Sequence, residues 1–248
     1  MSCTYRIRQG IQTAVELIYP PRCTGCGDLT ESDFGLCGKC WRETPFISGT
    51  VCESCGMPLP GAKDGYRVEC DDCLKSPRPW RDGRAALIYQ GKARSLVLAL
   101  KHGDRPELAR PAARWMFQAG RELFCQNMLV APVPLHWTRL LKRRYNQSAL
   151  LAQQLARESG MDWCPDLLVR TERTPVLDGK TAAERAQVMS GSVSVNQRWA
   201  ERLQKRKVLL VDDVMTSGST LSACASACVS SGANHIFVLV LARVAKDA

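Results

Sequence analysis

The chain has 248 residues, 45% of them hydrophobic and 23% charged, with a formal net charge of +10. It is long enough to bury a core, too apolar for a disordered chain, and has no window approaching ~18 consecutive apolar residues, which excludes a membrane-spanning helix. The charge is unevenly placed: residues 1–80 balance to −1 and residues 81–248 to +11, so a polyanion would be drawn to the second part.

At the front, Ile7, Ile11, Val15 and Ile18 recur at helical spacing, without the apolar stretch and small-residue cleavage site of a secretory signal. A short amphipathic helix is expected there, in a cytoplasmic protein with no membrane insertion. Eight of the 13 cysteines then fall into four Cys-x-x-Cys pairs: Cys23/Cys26, Cys37/Cys40, Cys52/Cys55 and Cys70/Cys73. This is zinc-knuckle spacing, in which a tight turn aims two sulfurs at one ion, and eight thiolates predict two structural zinc sites. Gly25, Gly27, Gly38 and Gly56 sit in or just after three of these turns, where the missing Cβ lets backbone amides approach sulfur. A disulfide framework or a redox pair is the competing reading; no export signal and four copies of the motif speak against it. Spacing leaves open whether consecutive pairs share an ion or the pairs interleave. Eight thiolates and two Zn2+ would take residues 1–80 to about −5, a poor phosphate-binding surface.

Lys75-Ser-Pro-Arg-Pro79 carries two prolines and no apolar period, and reads as a linker dividing residues 1–80, the N-terminal helix and double zinc-ribbon module, from residues 81–248. Beyond it, the β-rich runs Ala85–Tyr89, Leu129–Val133, Leu167–Thr171, Val208–Asp213 and His235–Leu241 alternate with the helical stretches Ala93–Leu100, Pro106–Phe124, Ser148–Glu158 and Thr220–Ser230. Such alternation predicts an α/β fold, a parallel sheet with helices on both faces and ligands beyond the carboxyl ends of its strands.

The most informative segment is Val208-Leu-Leu-Val-Asp-Asp-Val-Met-Thr-Ser-Gly-Ser-Thr220. Behind a buried strand stand two acids. Then Thr216, Ser217, Gly218, Ser219 and Thr220 can aim amides and hydroxyls at one point before a helix, as a phosphate monoester requires. Asp212 and Asp213 can accept hydrogen bonds from a vicinal diol, so the pattern describes a ribose 5-phosphate. Magnesium ligation by the acids in a receiver or phosphatase domain, or a plain polar strand end, is the rival interpretation. No nucleoside-triphosphate or dinucleotide glycine motif is present.

This segment resembles the phosphoribosyl pyrophosphate (PRPP) motif of type I phosphoribosyltransferases. With the cysteine-rich front, Leu100-Lys-His-Gly-Asp104, Pro132-Val-Pro-Leu135 and Arg143-Arg-Tyr-Asn-Gln147, the chain from about Pro20 onward resembles the ComF/GntX family. The resemblance implies a type I phosphoribosyltransferase-like sheet behind a double zinc ribbon, PRPP as a small-molecule partner with Mg2+, and a link to competence for DNA uptake.

Arg139, Lys142, Arg143 and Arg144 put four cations in six residues, suited to pyrophosphate or to a solvated face. Lys101, at a predicted helix end, is a further pyrophosphate partner or a macrodipole complement. Arg143, Arg144, Lys101, Asp212 and Asp213 are the candidate catalytic residues; Thr216 to Thr220, Asn146 and Gln147 are the candidate substrate-binding ones. The stretch from Arg173 to Gly191 resembles a mobile lid, but Thr174-Pro-Val-Leu-Asp-Gly-Lys180 departs from the family's Thr-Pro-x-Gln-x-x-Leu, as Arg144-Tyr145 departs from Gly-Phe. His102, His136 and His235 have no metal-site spacing, Cys125, Cys164, Cys224 and Cys228 read as buried thiols, and Trp115 and Phe117 as packing residues. Phosphoribosyl transfer is the leading expectation. A non-catalytic competence accessory protein, binding single-stranded DNA or a protein of the uptake machinery, is the alternative, weakened by the absence of aromatic residues inside the run from Arg139 to Arg144.

Overall fold

The computed structural model describes residues 20–31, 34–61, 65–102, 105–136, 140, 145–170 and 192–245. The helix expected before Pro20 lies outside them. Compact units divide at Thr44/Pro45, giving Met1–Thr44 and Pro45–Ala248.

Each unit holds one cysteine cluster, and the two clusters are built alike. In the first, Arg22 pairs with Leu29 around the Cys23/Cys26 turn; in the second, Val51 pairs with Pro58 around Cys52/Cys55. The turns carry matching bonds, with Gly27 N–H donating to Cys23 O and Gly56 N–H to Cys52 O, both at 2.8 Å. The glycines lie at φ 86° and 70°, a left-handed conformation that a side chain would strain. Each second pair then opens a short helix: α1 (Gly38–Glu43) behind Cys37 and α2 (Asp71–Lys75) behind Cys70.

In the larger unit the elements run β1 (Asp82–Ile88), α3 (Gly91–His102), α4 (Ala109–Ala119), β2 (Met128–Pro132), α5 (Gln147–Ser159), β3 (Asp162–Trp163), β4 (Leu168–Arg170), β5 (Val193–Val195), α6 (Ala200–Leu203), β6 (Lys207–Met215), α7 (Ser219–Ser230) and β7 (His235–Arg243). Five strands form a parallel sheet in the order β1-β7-β6-β2-β3. The expected strand at Leu167 is β4, but it pairs antiparallel with β5 in a separate two-stranded sheet. The long helix expected over Pro106–Phe124 is divided: single 3-10 turns flank α4, and Gly120, where a Cβ would lie 2.8 Å from Leu239, is its C-cap.

The central strands are buried along most of their length, as strands covered on both faces must be, with Lys207, Asp212 and Val214 of β6 and His235 of β7 half-buried. Their residues divide by the period of two. Leu129, Ala131, Val133, Val208, Leu210, Ile236, Val238 and Val240 join one core with Leu221, Cys224, Ala225 and Cys228 of α7, and with Cys52, Cys55, Cys73 and Trp80. On the opposite face α4 packs on β1 and β7, and α5 on β2 and β6. Three metal-type cysteines are therefore core residues of the α/β unit, 0–1% exposed.

No helix among the described residues is long and apolar enough to cross a membrane.

Candidate functional site

The cysteines assemble as consecutive pairs: Cys23, Cys26, Cys37 and Cys40 in one cluster, Cys52, Cys55, Cys70 and Cys73 in the other, with all four sulfurs of each within 4.8 Å of one another. Zinc bonded to four thiolates at about 2.3 Å would space them about 3.8 Å apart. Cys26 and Cys37 stand at 3.7 Å and Cys55 and Cys70 at 3.6 Å, so both sets fit that ion. The thiol of the first cysteine in each cluster is shifted toward its ionised form. Burial opposes this at Cys23, but the amides of Cys37 and Gly25, 3.2 and 3.3 Å from its sulfur, bring it to about 6. A hydrogen bond from Cys55, with amides against burial, brings Cys52 to about 5. Four thiolates leave no open coordination position, so these are structural sites.

At the carboxyl end of β6, the acid pair is ordered by its neighbours. Asp212 Oδ1 accepts from Ser148 Oγ at 2.7 Å and from Asp213 N–H at 2.9 Å. Asp213, 7% exposed, pairs with Lys101 Nζ at 3.1 Å. Burial, then the charge of Asp213, raises Asp212 to about 7, against the pull of Ser148 and Lys101. Asn146 and Gln147 build the floor. Asn146 caps α5 by accepting from Ser148 N–H and donates to Val133 O at 3.0 Å; buried Gln147 donates to Lys101 O at 3.3 Å. Lys101 thus meets the acids, and the bonds from Asn146 and Gln147 position backbone.

Beyond the acids, the chain turns through Thr216, Ser217 and Gly218 into α7. Gly218 adopts φ 82°, and Ser217 Oγ lies 2.8 Å from Ser219 Oγ. Two arginines hold this turn from behind. Arg243 Nη1 donates to Met215 O at 3.1 Å and Thr216 O at 2.6 Å, while Arg78 Nη1 donates to Ser217 O at 2.7 Å. In a trans peptide the N–H points away from the C=O, so fixing the carbonyls of Thr216 and Ser217 inward turns the N–H groups of Ser217 and Gly218 the other way. These amides, with the hydroxyls carried by Ser219 and Thr220 at the start of the 12-residue α7, are donors of the kind that take an anion.

Arg139, Lys142, Arg143 and Arg144, and the stretch from Arg173 to Gly191, lie outside the described residues. Arg78, Arg243 and Ser148 were not among the site residues expected from sequence. Arg243 had a legible signal, a charge ending an apolar run that is buried throughout; Arg78 had none inside a proline-flanked segment. Of the cysteines expected to be buried, Cys164, Cys224 and Cys228 are, and Cys125 is half-buried. Trp115 meets Phe46 edge to face at 5.5 Å, and Phe117 packs on Phe124.

Fold and site together define a double zinc-ribbon protein with a parallel α/β sheet, and the family model for a double zinc ribbon domain matches residues 14–74. Competence protein F of Haemophilus influenzae is 31% identical over 228 residues, spanning 90% of this chain and 96% of that protein. DNA utilization protein YhgH of Escherichia coli is 29% identical over 92% of this chain and 99% of its own, and competence protein ComFC of Bacillus subtilis 23% identical over 82% of each. The chain belongs to the competence protein F family. Among solved structures, a glutamine PRPP amidotransferase from B. subtilis overlaps 57% of this chain and 30% of its own at 14% identity and a TM-score of 0.38. An L. donovani hypoxanthine-guanine phosphoribosyl transferase overlaps 60% and 71% at 14% and 0.33.

Proposed function

We propose that the chain binds PRPP with Mg2+ at the carboxyl end of β6 and transfers its phosphoribosyl group to a nitrogen acceptor. The observation that carries this reading is the turned loop of Thr216 to Thr220 beside the paired carboxylates of Asp212 and Asp213. The loop takes the 5-phosphate, and the acids accept the ribose hydroxyls. Carboxylates are the donors a hard divalent cation takes, and Mg2+ would be held with them, neutralising pyrophosphate charge.

In the reaction, the bond from C1′ to the pyrophosphate oxygen breaks, and pyrophosphate leaves with the electron pair. A bond from C1′ to the acceptor nitrogen forms, and that nitrogen gives up its proton to solvent. Positive charge grows on the sugar ring and negative charge on pyrophosphate. Asp212 and Asp213 face the former; Lys101, with Arg143 and Arg144, supplies cations for the latter. Lys101 also lowers the repulsion between the two acids in the ligand-free protein.

Calorimetric titration with PRPP and Mg2+ tests the site: wild type gives heat, Asp212→Asn/Asp213→Asn does not, and a silent wild type removes the reading. Pyrophosphate release across bases and amines tests transfer; binding without release makes the same pocket a PRPP sensor.

A second reading, binding of single-stranded DNA, is favoured by a separate cleft of about 450 Å3 at the amino ends of β2, β3 and β6, lined by Trp163, Trp199, Arg202 and Arg206, the last paired with Asp162 of the same cleft at 2.7 Å. The guanidinium carbons of Arg198 and Arg202 lie 5.9 and 5.5 Å from the Trp199 ring. Aromatic faces interleaved with cations stack bases and track phosphates, the combination missing from the run from Arg139 to Arg144. A labelled oligonucleotide should bind with steep salt dependence and lose affinity in Trp163→Ala and Trp199→Ala. Unchanged binding in both variants overturns this assignment.

A further inference from the structure

Arg78 touches both halves of the functional apparatus. Its Nε lies 3.5 Å from Cys73 Sγ, a ligand of the second cysteine cluster, and its Nη1 donates to Ser217 O in the loop at 2.7 Å. Its guanidinium carbon stands 5.6 Å from the Trp80 ring, and Trp80 is fixed in turn by donation from Nε1 to Ser54 O, inside the second Cys-x-x-Cys turn, at 2.6 Å. The turn of Gly218 rests on the same pair: a Cβ there would lie 3.2 Å from Arg78 Nη1 and 3.4 Å from Trp80 Cη2.

We propose that Arg78 is a positioning residue through which the second cysteine cluster sets the shape of the 216–220 loop, so that metal occupancy of that cluster controls anion binding at the loop. The ligand named, PRPP, rests on the reading given above; the coupling itself does not. A thiolate bound to zinc remains a hydrogen-bond acceptor with its position fixed by the ion. It anchors Nε, and the planar guanidinium carries that anchoring to Nη1, which holds Ser217 O inward and turns the following N–H outward. Without a fixed sulfur, the arginine has its stacking on Trp80 and a mobile acceptor, and the loop loses its template. The zinc ion does no chemistry on the ligand.

The experiment uses the full zinc-loaded chain and compares wild type, Arg78→Met, Cys73→Ser and the double variant. It reads zinc content, the thermal midpoint, amide hydrogen exchange of the 214–221 peptide, and the Kd for PRPP with Mg2+. Arg78→Met should keep both zinc ions and the wild-type midpoint while the loop exchanges faster and the Kd rises about tenfold. Cys73→Ser should reproduce the loop effects, and the double variant should be no worse than the weaker binder of the two singles, because both changes cut one path. If Arg78→Met leaves loop exchange and Kd at wild-type values, the coupling is wrong. Faster loop exchange with no PRPP binding in wild type would keep the coupling and remove the PRPP reading. Should Cys73→Ser fail to fold, Arg78→Met still decides, since its sulfurs are untouched.

Discussion

Lys101 Nζ stands 3.1 Å from Asp213 Oδ2, joining the last turn of α3 to the carboxyl end of β6. Both side chains are largely shielded, 19% and 10% exposed, so removing the cation leaves a carboxylate short of compensation beside another. Lys101→Met should lower unfolding free energy by about 1–3 kcal/mol, the usual cost of an uncompensated buried polar partner. The check is urea denaturation, which should show a shifted midpoint with an unchanged slope.

Asp212 makes stability depend on pH. Burial and the charge of Asp213 raise it to about 7, so the folded chain retains a proton that the unfolded chain, near the ordinary value, releases. The contribution is fully present below about pH 4 and is lost as pH rises to about 7, with a limiting slope of about 1.4 kcal/mol per pH unit. Without divalent cations, unfolding free energies at pH 5, 6, 7 and 8 should fall less steeply for Asp212→Asn than for wild type. Parallel curves would contradict the assignment.

The two metal clusters should fail differently. Cys52, Cys55 and Cys73 are core residues of the larger unit, whereas Cys26 is exposed within the smaller one. Cys52→Ser should therefore cost the whole α/β unit several kcal/mol of metal-linked stability and lower its thermal midpoint. Cys26→Ser should release one zinc ion per chain and leave that transition near its wild-type position. Calorimetry with metal analysis separates the two.

Gly218→Ala tests the loop. At φ 82° an alanine is strained by about 1 kcal/mol, and its methyl would press on Arg78 and Trp80. A small stability loss with at least tenfold weaker PRPP binding is expected, read by calorimetry.

The strands were legible in proportion to their burial. Val208–Asp213 and His235–Leu241 announced β6 and β7 because apolar side chains face both layers, whereas β3 and β5, two and three residues long, carry no period to detect. The acid pair and the loop stood out because the chemistry needs those residue types in sequence. The supports did not: Ser148 reaches Asp212 across 64 positions and Arg78 reaches Ser217 across 139, and no local pattern records such a meeting. The cysteine spacing gave the ligands but not their grouping, which the short helices behind Cys37 and Cys70 decide by aiming each second pair at its own hairpin.

Arg243 pairs in register with Met215, and the same side chain reaches the carbonyls that shape the turn. A slip of one residue between β6 and β7 would send that guanidinium to the other face of the sheet. The anion cradle therefore cannot mature until the two central strands have zipped together correctly. A chain mispaired by one position could keep its sheet and still lack the cradle.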